Sequence, residues 1–360
     1  MNTAVGRSGP LTGIRVLEFT GIGPGPHCGM LLADLGADVL RVERKGGNGW
    51  PNPVADRGRR LVEADIRSDA GRAFCLEAAD GADALIEGFR PGTMERLGLG
   101  PDVLLARNPR LVYGRVTGWG QTGPLSHAAG HDINYIALTG ALAAMGEPGK
   151  PAPPPLNLVG DFGGGSMLLA FGILAALVER QSSGKGQVVD AAIVDGAASL
   201  MGFFSGLAPR GLISLERERC LLGGAAPQYR CYMCKDGREI AVGALEPQFQ
   251  AELLDRLGAP QKIREDMADP ERWQNVSDFL AKVFAGKTRE EWRGVLEGTD
   301  ACFAPVLALE EAPDHPQMRA RNAYKRKDGV IHPAPAPRFS RTPGAVRDST
   351  ALPPGANPWE

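Results

Sequence analysis

Short apolar runs alternate with stretches of helical spacing over roughly the first 120 residues. The apolar runs occupy positions 14–19, 38–42, 84–89 and 111–116. Residues 28–35 instead carry apolar positions at helical spacing, and Gly36 directly after them is a typical helix-ending residue. Strands that alternate with helices form βαβ units on a parallel sheet, so this pattern predicts a doubly wound α/β fold.

Further along, the pattern predicts another helical section and then a change of domain. A strongly apolar helix is expected at 166–180, then a strand near 188–193, and then another apolar helix from Ala197. The composition becomes polar and mixed after this section, so we predict a large domain at 1–215. A smaller domain at 216–310 would contain one strand and three helices, at 239–243, 248–257, 273–285 and 288–297. The segment 311–360 ends in a proline-rich tail, which predicts an extended strap over another surface.

The composition is that of an ordinary globular chain with an excess of turn-forming residues. Of 360 residues, 48 are glycine and 29 are proline, without the three-residue period of collagen. The formal net charge of −2 gives no overall field that would attract nucleic acid, so a site for a polyanion must be a local cluster. The glycines and prolines are therefore expected to build specific turns and loops.

The same sequence argues against secretion, a membrane span and a metal site. The first ten residues, MNTAVGRSGP, lack the charged start and apolar run of a signal peptide. The longest apolar stretch, 167–178, covers 12 residues, whereas a membrane span needs about 20. The six cysteines are too few for a disulfide framework, and the C-x-x-C motif at Cys231 and Cys234 lacks a second pair or a nearby histidine. We therefore expect a cytoplasmic protein without a membrane span or metal, in which these two cysteines are small buried hydrophobes.

A glycine- and proline-rich turn, GIGPGP at 21–26, lies between the first predicted strand and the first predicted helix. Glycines at such a place allow a phosphate to approach a helix N-terminus. The dinucleotide fingerprint G-x-G-x-x-G, however, requires a third glycine where this chain has Cys28. A rigid strand-to-helix turn is the simpler interpretation, and dinucleotide binding is the alternative.

Positive charges outnumber negative ones in a stretch between residues 41 and 67. The cations are Arg41, Arg44, Lys45, Arg57, Arg59, Arg60 and Arg67. Guanidinium groups suit phosphate capture and stacking on adenine. A solvated charged loop would have the same composition, so composition alone leaves both interpretations open.

Two segments combine a polar side chain of catalytic type with a helix start. His131 follows a glycine- and proline-rich loop and begins a helical stretch. Asp161 directly precedes the apolar helix, and three consecutive glycines at 163–165 follow it. Asp161 as a helix N-cap is one interpretation. The glycines, each about 1 kcal/mol less favourable than alanine in a helix, instead suggest a backbone that approaches a ligand, with N–H donors for an oxyanion.

A third carboxylate, Glu246, lies between a predicted strand and a helix that starts with Pro247. A helix cap is one interpretation of this position. The alternative is a carboxylate that orients an imidazole and raises its basicity as the third member of a catalytic set.

These segments together resemble the α-methylacyl-CoA racemase branch of the family III CoA-transferase superfamily. The most specific strings are TGWGQTGP, GHDINY, LNLVGDFGGG and GALEPQF, which begin at residues 117, 130, 156 and 243. The resemblance runs in order over nearly the whole chain, from residue 14 to the PAP string at 335–337. It implies a large Rossmann-like domain, a small α+β domain joined by two linkers, and a C-terminal segment that returns to the large domain. It also implies an interlocked homodimer, with each active site between the large domain of one subunit and the small domain of the other.

The activity that the resemblance implies is an isomerase of lipid metabolism. Such enzymes interconvert the (R)- and (S)-forms of 2-methylacyl-CoA, the thioesters of branched-chain fatty acids, by α-proton exchange without a metal or redox cofactor. His131 and Asp161 would lie on opposite faces of the α-carbon, Glu246 would hold the histidine, and N–H groups beside Asp161 would stabilise the thioester oxygen. The expected contacts with coenzyme A are Ile22, Arg44, Ala64, Ile66, Arg67, Arg96, Tyr135 and Asn157.

One loop departs from the pattern of these relatives. Racemases of this type usually read L-D-G-G-A-P followed by an aromatic residue, whereas this chain has LGGAAP at 222–227 followed by Gln228. The loop would lie on the acyl side of the site, so the preferred acyl group is the property it affects. Two alternatives to the racemase remain: a CoA transferase of the same superfamily in which Asp161 is the acyl-accepting nucleophile, and an acyl-CoA-binding protein without catalysis.

Overall fold

The structure is a computed structural model that describes residues 8–353 and 355–359. The expectation drawn from the first ten residues therefore falls largely on positions 1–7, outside the described residues. The strands, in chain order, are β1 (Arg15–Phe19), β2 (Asp38–Glu43), β3 (Arg59–Glu63), β4 (Ala84–Glu87), β5 (Val112–Thr117), β6 (Val188–Ala192), β7 (Tyr229–Met233), β8 (Glu239–Gly243), β9 (Phe303–Pro305), β10 (Tyr324–Lys327), β11 (Val330–Pro333) and β12 (Thr350–Ala351).

The helices follow the same chain order. They are α1 (Pro24–Asp34), α2 (Asp69–Asp80), α3 (Thr93–Arg96), α4 (Pro101–Arg107), α5 (Asp132–Ala137), α6 (Leu168–Ser183), α7 (Ile193–Leu200), α8 (Gly202–Leu207), α9 (Pro247–Arg256), α10 (Gln261–Met267), α11 (Trp273–Phe284), α12 (Arg289–Leu296) and α13 (Pro316–Ala320). A π-helix, Leu158–Met167, directly precedes α6.

The described residues fall into two compact units. The first comprises the residues up to Thr139, Pro155–Leu200 and the residues from Pro313 onward; the second comprises Gly140–Pro154 and Met201–Ala312. Two segments that we assigned to the large domain, 140–154 and 201–215, therefore belong to the second unit.

The first unit is built on a seven-stranded parallel sheet with the order β12-β3-β2-β1-β4-β5-β6. The predicted doubly wound α/β fold is confirmed. After β1 the chain first adds β2 and β3 on one side of it, and then adds β4, β5 and β6 on its other side. The boundary between β1 and β4 is therefore a topological switch point. In open parallel sheets, ligands bind outside the carboxyl ends of the strands at such a switch point.

The long apolar segment beside this sheet is a core helix. An 18-residue window within Leu158–Ser183 has a mean hydropathy of 1.7, so by length and composition alone this segment is long and apolar enough to cross a membrane. The sequence analysis counted only the 12 residues of the longest apolar stretch, 167–178, and so underestimated the length of this apolar helix. Leu169, Ile173 and Leu177 nevertheless pack into the core of the sheet, and Arg180 pairs with Asp83 at 2.8 Å. One face of the helix is thus covered by the sheet.

The second unit has an antiparallel sheet, β7-β8-β9, with its own apolar core. Helices α9, α11 and α12 contribute Leu253, Leu280 and Trp292 to that core. Cys234 is buried as expected, whereas Cys231 is exposed on β7, so only one cysteine of the motif is a buried hydrophobe.

The proline-rich tail packs along the first unit. Its strand β12 pairs with β3 at the edge of the large sheet. The Trp359 indole N–H donates to the carbonyl of Ala78, and the guanidinium carbons of Arg15 and Arg60 lie 5.7 Å and 5.6 Å from the centre of its ring. The expected strap thus completes the sheet with a short strand.

Candidate functional site

The turn at 21–26 brings the end of β1 against Asp161. Gly23 precedes α1 with φ 70°, a left-handed conformation that favours glycine. A Cβ atom at Gly23 would lie 3.3 Å from Asp161 Oδ2, so the backbone of the turn faces the carboxyl group directly. The turn therefore forms one wall of the site around Asp161.

Asp161 is carried by the π-helix rather than at a helix cap. The Phe162 N–H donates to the carbonyl of Asn157, five residues earlier, as in a π-helix. Such segments occur mostly as single turns and frequently at functional sites, so ten residues of π-helix mark an unusual backbone here. The N-cap interpretation of Asp161 is wrong.

The glycines after Asp161 are explained by packing between helices. A Cβ atom at Gly164 would lie 2.6 Å from the backbone nitrogen of Ala197, and one at Gly196 would lie 1.9 Å from the carbonyl oxygen of Gly164. A Cβ at Gly165 would lie 3.0 Å from Ile193. These glycines bring the π-helix against α7. Helix packing therefore accounts for them without the close approach of a ligand that we expected from the sequence.

The Asp161 carboxyl group lies half-buried among polar neighbours of the first unit. The Asn157 side-chain amide donates to its Oδ2 at 3.4 Å. Burial is the largest influence and raises the pKa of Asp161, and the charge of Asp132 raises it further. The Asn157 hydrogen bond and the charge of His131 oppose this shift, but the net effect is a raised pKa. Asp161 therefore holds a proton more readily than an ordinary aspartate.

His131 is exposed, and it lies near enough to this carboxyl group for its charge to act on Asp161. It is the N-cap of α5, and its backbone N–H donates to Asn134 Oδ1 at 3.0 Å. Tyr135, on the next turn, is buried and packs edge-on against Trp119 at 4.8 Å. Burial, followed by the charge of Asp161, raises the pKa of Tyr135. The structure therefore brings His131, Asp161, Tyr135 and Asn157 together in the first unit.

Two polar residues of this site were not singled out in the sequence. Asp132 is buried, and its Oδ2 accepts the backbone N–H of Asp161 at 2.6 Å. His27 of α1 stacks on Phe162 at 4.5 Å, and its Nδ1 lies 2.7 Å from Ser166 Oγ. Burial, assisted by nearby arginines, lowers the pKa of His27. The string GHDINY contained Asp132, but no sequence spacing indicated its partner.

The two amides beside Asp161 are already engaged. The Asp161 N–H donates to Asp132 and the Phe162 N–H donates to Asn157. The expectation that backbone N–H groups beside Asp161 hold the thioester oxygen stays a prediction, and these two N–H groups have protein acceptors.

Glu246 lies in the second unit, at the N-cap of α9. Its side chain is exposed and makes no capping hydrogen bond, so the interpretation of Glu246 as a side-chain cap of the helix is not supported. Its charge raises the pKa of Cys302, although burial of that thiol is the larger cause. Gln228 also lies in the second unit and is buried, and its Oε1 has no hydrogen-bond partner among the described residues.

Most arginines of the basic stretch are held in ion pairs within the first unit. Arg57 pairs with Asp34, Arg59 with Glu18, Arg60 with Asp38, and Arg41 with Glu43 and Asp56. Arg44, Lys45 and Arg67 are exposed. The stretch is therefore neither a uniform phosphate site nor a solvated loop, because only part of it faces solvent.

A cavity of about 290 Å³ opens beside the exposed end of this stretch. It is lined by Ile66, Arg67, Phe89, Thr93, Arg96 and Leu97. Ile66 and Arg67 follow β3, and Phe89 follows β4, so the cavity lies at the carboxyl ends of the parallel strands. Three expected coenzyme A contacts, Ile66, Arg67 and Arg96, are thus neighbours. Ala64 packs against the same apolar core as Ile66, Phe89 and Leu97. Ile22 and Arg44 are exposed on the loops after β1 and β2.

Comparison with known proteins extends over nearly all of the chain. The sequence profile of CoA-transferase family III matches residues 11–357. The chain is 46% identical to alpha-methylacyl-CoA racemase of Mus musculus over 335 residues, which cover 92% of this chain and 87% of that protein. It is 41% identical to alpha-methylacyl-CoA racemase of Homo sapiens over 334 residues, with the same two coverages of 92% and 87%. Among solved structures, a CAIB/BAIF family protein from Brucella suis superposes with a TM-score of 0.82 at 25% identity and covers 96% of each chain.

Proposed function

The chain belongs to CoA-transferase family III, and we propose that it is a racemase that interconverts the (R)- and (S)-forms of 2-methylacyl-CoA thioesters. The observation that carries this proposal is that an exposed imidazole, His131, lies near enough to a half-buried carboxyl group of raised pKa, Asp161, for its charge to act on it. The sequence identity of 46% and 41% to two racemases, over 92% of the chain, supports the same reaction.

Racemisation by two bases requires that each base serves in turn as donor and acceptor of the proton. An ordinary histidine titrates near pH 6.5 and an ordinary aspartate near pH 3.9, a gap of about 2.6 units or about 3.5 kcal/mol. Acid–base catalysis is most efficient when the two proton affinities are matched to each other and to the working pH. The raised pKa of Asp161 moves this carboxyl group away from the ordinary aspartate value, in the direction that such matching requires.

The pair of bases holds one proton before and after the proposed reaction, and two protons while the enolate exists. In one direction Asp161 removes the α-proton as a carboxylate, and His131 then delivers its own proton to the opposite face of the planar enolate. In the other direction His131 is the base and Asp161 is the acid. We assign Glu246 to orient the imidazole. Coenzyme A is part of the substrate, and the proposed reaction uses no metal or redox cofactor.

We assign the coenzyme A portion of the substrate to the cavity at the carboxyl ends of β3 and β4. Arg67 and Arg96 supply guanidinium groups for phosphate, and Ile66 and Phe89 supply apolar surface for the adenine ring. Tyr135 and Asn157 lie nearer to Asp161 and would contact the pantetheine end.

We expect that Arg67→Ala and Arg96→Ala each weaken coenzyme A binding about tenfold, because each removes a charge-assisted contact with phosphate. Isothermal titration with coenzyme A at two salt concentrations measures this effect, and the loss should shrink at high salt. Arg107→Ala is the matched control, since Arg107 is exposed and pairs with Asp80 on α2. Equal affinity in all three variants would place the phosphates elsewhere.

The proposed function is tested by incubating the protein in D₂O with one enantiomer of a 2-methylacyl-CoA and an added free carboxylate. The racemase predicts deuterium at C2 together with loss of optical purity, followed by mass spectrometry and chiral chromatography. Passage of CoA to the added carboxylate without exchange at C2 would establish the transferase instead. Binding without either reaction would establish a carrier of acyl-CoA.

We also propose that the protein is a homodimer. Met167, Phe171 and Val178 form an exposed apolar stripe along one side of the π-helix and α6, and they are 51%, 70% and 70% exposed. Apolar surface at helical spacing without a covering element is typical of a surface that binds another chain. Both the stripe and the resemblance to interlocked dimers support this assignment.

We expect that Phe171→Asp converts the dimer to a monomer, because the carboxylate would be buried without a partner in the interface. Size-exclusion chromatography with light scattering measures the mass. Val103→Asp on α4, where the valine is 43% exposed, is the control and should leave the mass unchanged. A wild-type protein that is already monomeric would contradict the homodimer.

We place the enzyme in lipid metabolism and in the cytoplasm. All six cysteines of the chain are free thiols, which fits a reducing compartment.

A further inference from the structure

Asp132 is a buried carboxylate beside both proposed proton-transfer residues, and the reaction described above gives it no role. It follows His131 directly, at the first position of α5, and it is 5% exposed. Its Oδ2 accepts the backbone N–H of Asp161, with 2.6 Å between nitrogen and oxygen. One carboxylate is therefore adjacent in sequence to one base and hydrogen-bonded to the backbone of the other.

The surroundings of Asp132 are shaped to admit this contact. A Cβ atom at Gly160 would lie 2.5 Å from Asp132 Oδ2, so only glycine at that position leaves room for the carboxylate. The other oxygen, Oδ1, is buried and has no hydrogen-bond partner among the described residues. A buried carboxylate with one unpaired oxygen is costly for stability, and such groups in folded proteins call for a functional explanation.

We propose that Asp132 is a positioning residue that fixes the backbone of Asp161 relative to His131 and places a second negative charge beside the Asp161 carboxyl group. This inference rests on the proposed function for its catalytic consequence. Asp132 acts through Asp161 and does not itself touch the substrate.

The charge of Asp132 has a definite effect on its neighbour. Burial is the largest cause of the raised pKa of Asp161, and Asp132 is the neighbouring carboxylate that adds to it. The other titratable groups around Asp161 are His131 and Tyr135 from α5, and His27 of α1, which stacks on Phe162. Asp195 of α7 is exposed. Of these groups, Asp132 is the one that hydrogen-bonds to the Asp161 backbone.

The test separates the hydrogen bond from the charge. Asp132→Asn keeps an oxygen that accepts the Asp161 N–H but removes the negative charge, whereas Asp132→Ala removes both. Titration of carboxyl-¹³C aspartate by NMR follows Asp161 directly, with its signal assigned by its loss in Asp161→Asn. We expect the midpoint of Asp161 to fall by about half a unit or more in Asp132→Asn. Asp102→Asn, which removes an exposed carboxylate of α4, is the charge-matched control and should leave the midpoint unchanged.

Kinetics supply the second measurement. In Asp132→Asn we expect kcat for α-proton exchange to fall about tenfold, KM to stay within about threefold, and the acidic limb of the pH profile to move to lower pH. Asp132→Ala should lower kcat further, because the Asp161 backbone also loses its acceptor. An unchanged Asp161 midpoint together with a wild-type pH profile in Asp132→Asn would overturn the inference, even if Asp132→Ala fails to fold. If the wild-type protein exchanges no α-proton but the Asp161 midpoint still falls in Asp132→Asn, the proposed function fails and the placement of charge by Asp132 stands.

Discussion

Replacement of either proton-transfer residue should nearly abolish racemisation. We expect His131→Ala and Asp161→Asn each to lower the turnover number by about 10²- to 10⁴-fold, which is the usual contribution of a positioned acid or base. Affinity for coenzyme A should stay close to that of the wild type, because the cavity assigned to it is lined by residues of other segments, at 66–67, 89 and 93–97. The measurement is the rate of inversion of a single enantiomer.

The two variants should also differ from each other in a way that identifies the two bases. With His131 removed, Asp161 can still exchange the α-proton of the enantiomer that presents this proton to its own face, without inversion. With Asp161 replaced, His131 should exchange the opposite enantiomer only. Each variant is therefore incubated in D₂O with each enantiomer separately, and deuterium at C2 is measured.

Matched controls show whether the loss is specific to these positions. His127→Ala removes an exposed histidine four residues before His131, and Asp102→Asn removes an exposed aspartate of the same unit. Both controls should keep wild-type turnover. If either His131→Ala or Asp161→Asn racemises at the wild-type rate, the assignment of two bases is wrong.

The central strands of the large sheet could be predicted because each contains a short run in which apolar residues dominate. The predicted runs at 14–19, 38–42 and 111–116 correspond to β1, β2 and β5 within one or two residues. The strand β3, with the sequence RRLVE, was missed since its charged residues do not look like a buried strand. Arg59 and Arg60 are tolerated there through partners on β1 and β2, and no local pattern indicates a partner that far along the chain.

The candidate site was predictable as far as its chemistry lay in short motifs. His131 and Asp161 could be identified because each lies in a specific sequence motif, GHDINY and LNLVGDFGGG. Asp132 was missed because an aspartate in the first turn of a helix is ordinarily explained by the helix dipole, while its actual partner, the Asp161 N–H, is 29 residues away. The π-helix was also missed, because its glycines are equally compatible with a loop until their contacts with α7 are known.

The buried pair Glu18–Arg59 should dominate the stability of the first unit. Both side chains are 0% exposed, and Arg59 Nε lies 3.0 Å from Glu18 Oε2. The guanidinium also donates to the backbone carbonyls of Pro26, Ala55 and Arg57. Arg59 is thus a structural residue that connects β3, β1 and the start of α1.

We expect Glu18→Ala to lower the free energy of unfolding by about 3–5 kcal/mol, because it leaves a buried guanidinium without its counter-charge. Urea denaturation followed by circular dichroism measures the change. Asp80→Ala is the control: its pair with Arg107 is exposed, and such a pair contributes about 1 kcal/mol or less. A loss in Glu18→Ala no larger than in this control would show that the buried pair is not what stabilises the unit.

The double variant Glu18→Met/Arg59→Met distinguishes the counter-charge from the backbone contacts. Removal of both charges eliminates the unpaired ion, so part of the stability should return. The recovery should be incomplete, because the carbonyls of Pro26, Ala55 and Arg57 lose their donor, and each unsatisfied buried group costs about 1–3 kcal/mol. Since Pro26 lies in the turn whose Gly23 faces Asp161, the double variant should also lose racemase activity at temperatures where it is still folded. Full activity in a folded double variant would show that the turn holds its position without Arg59.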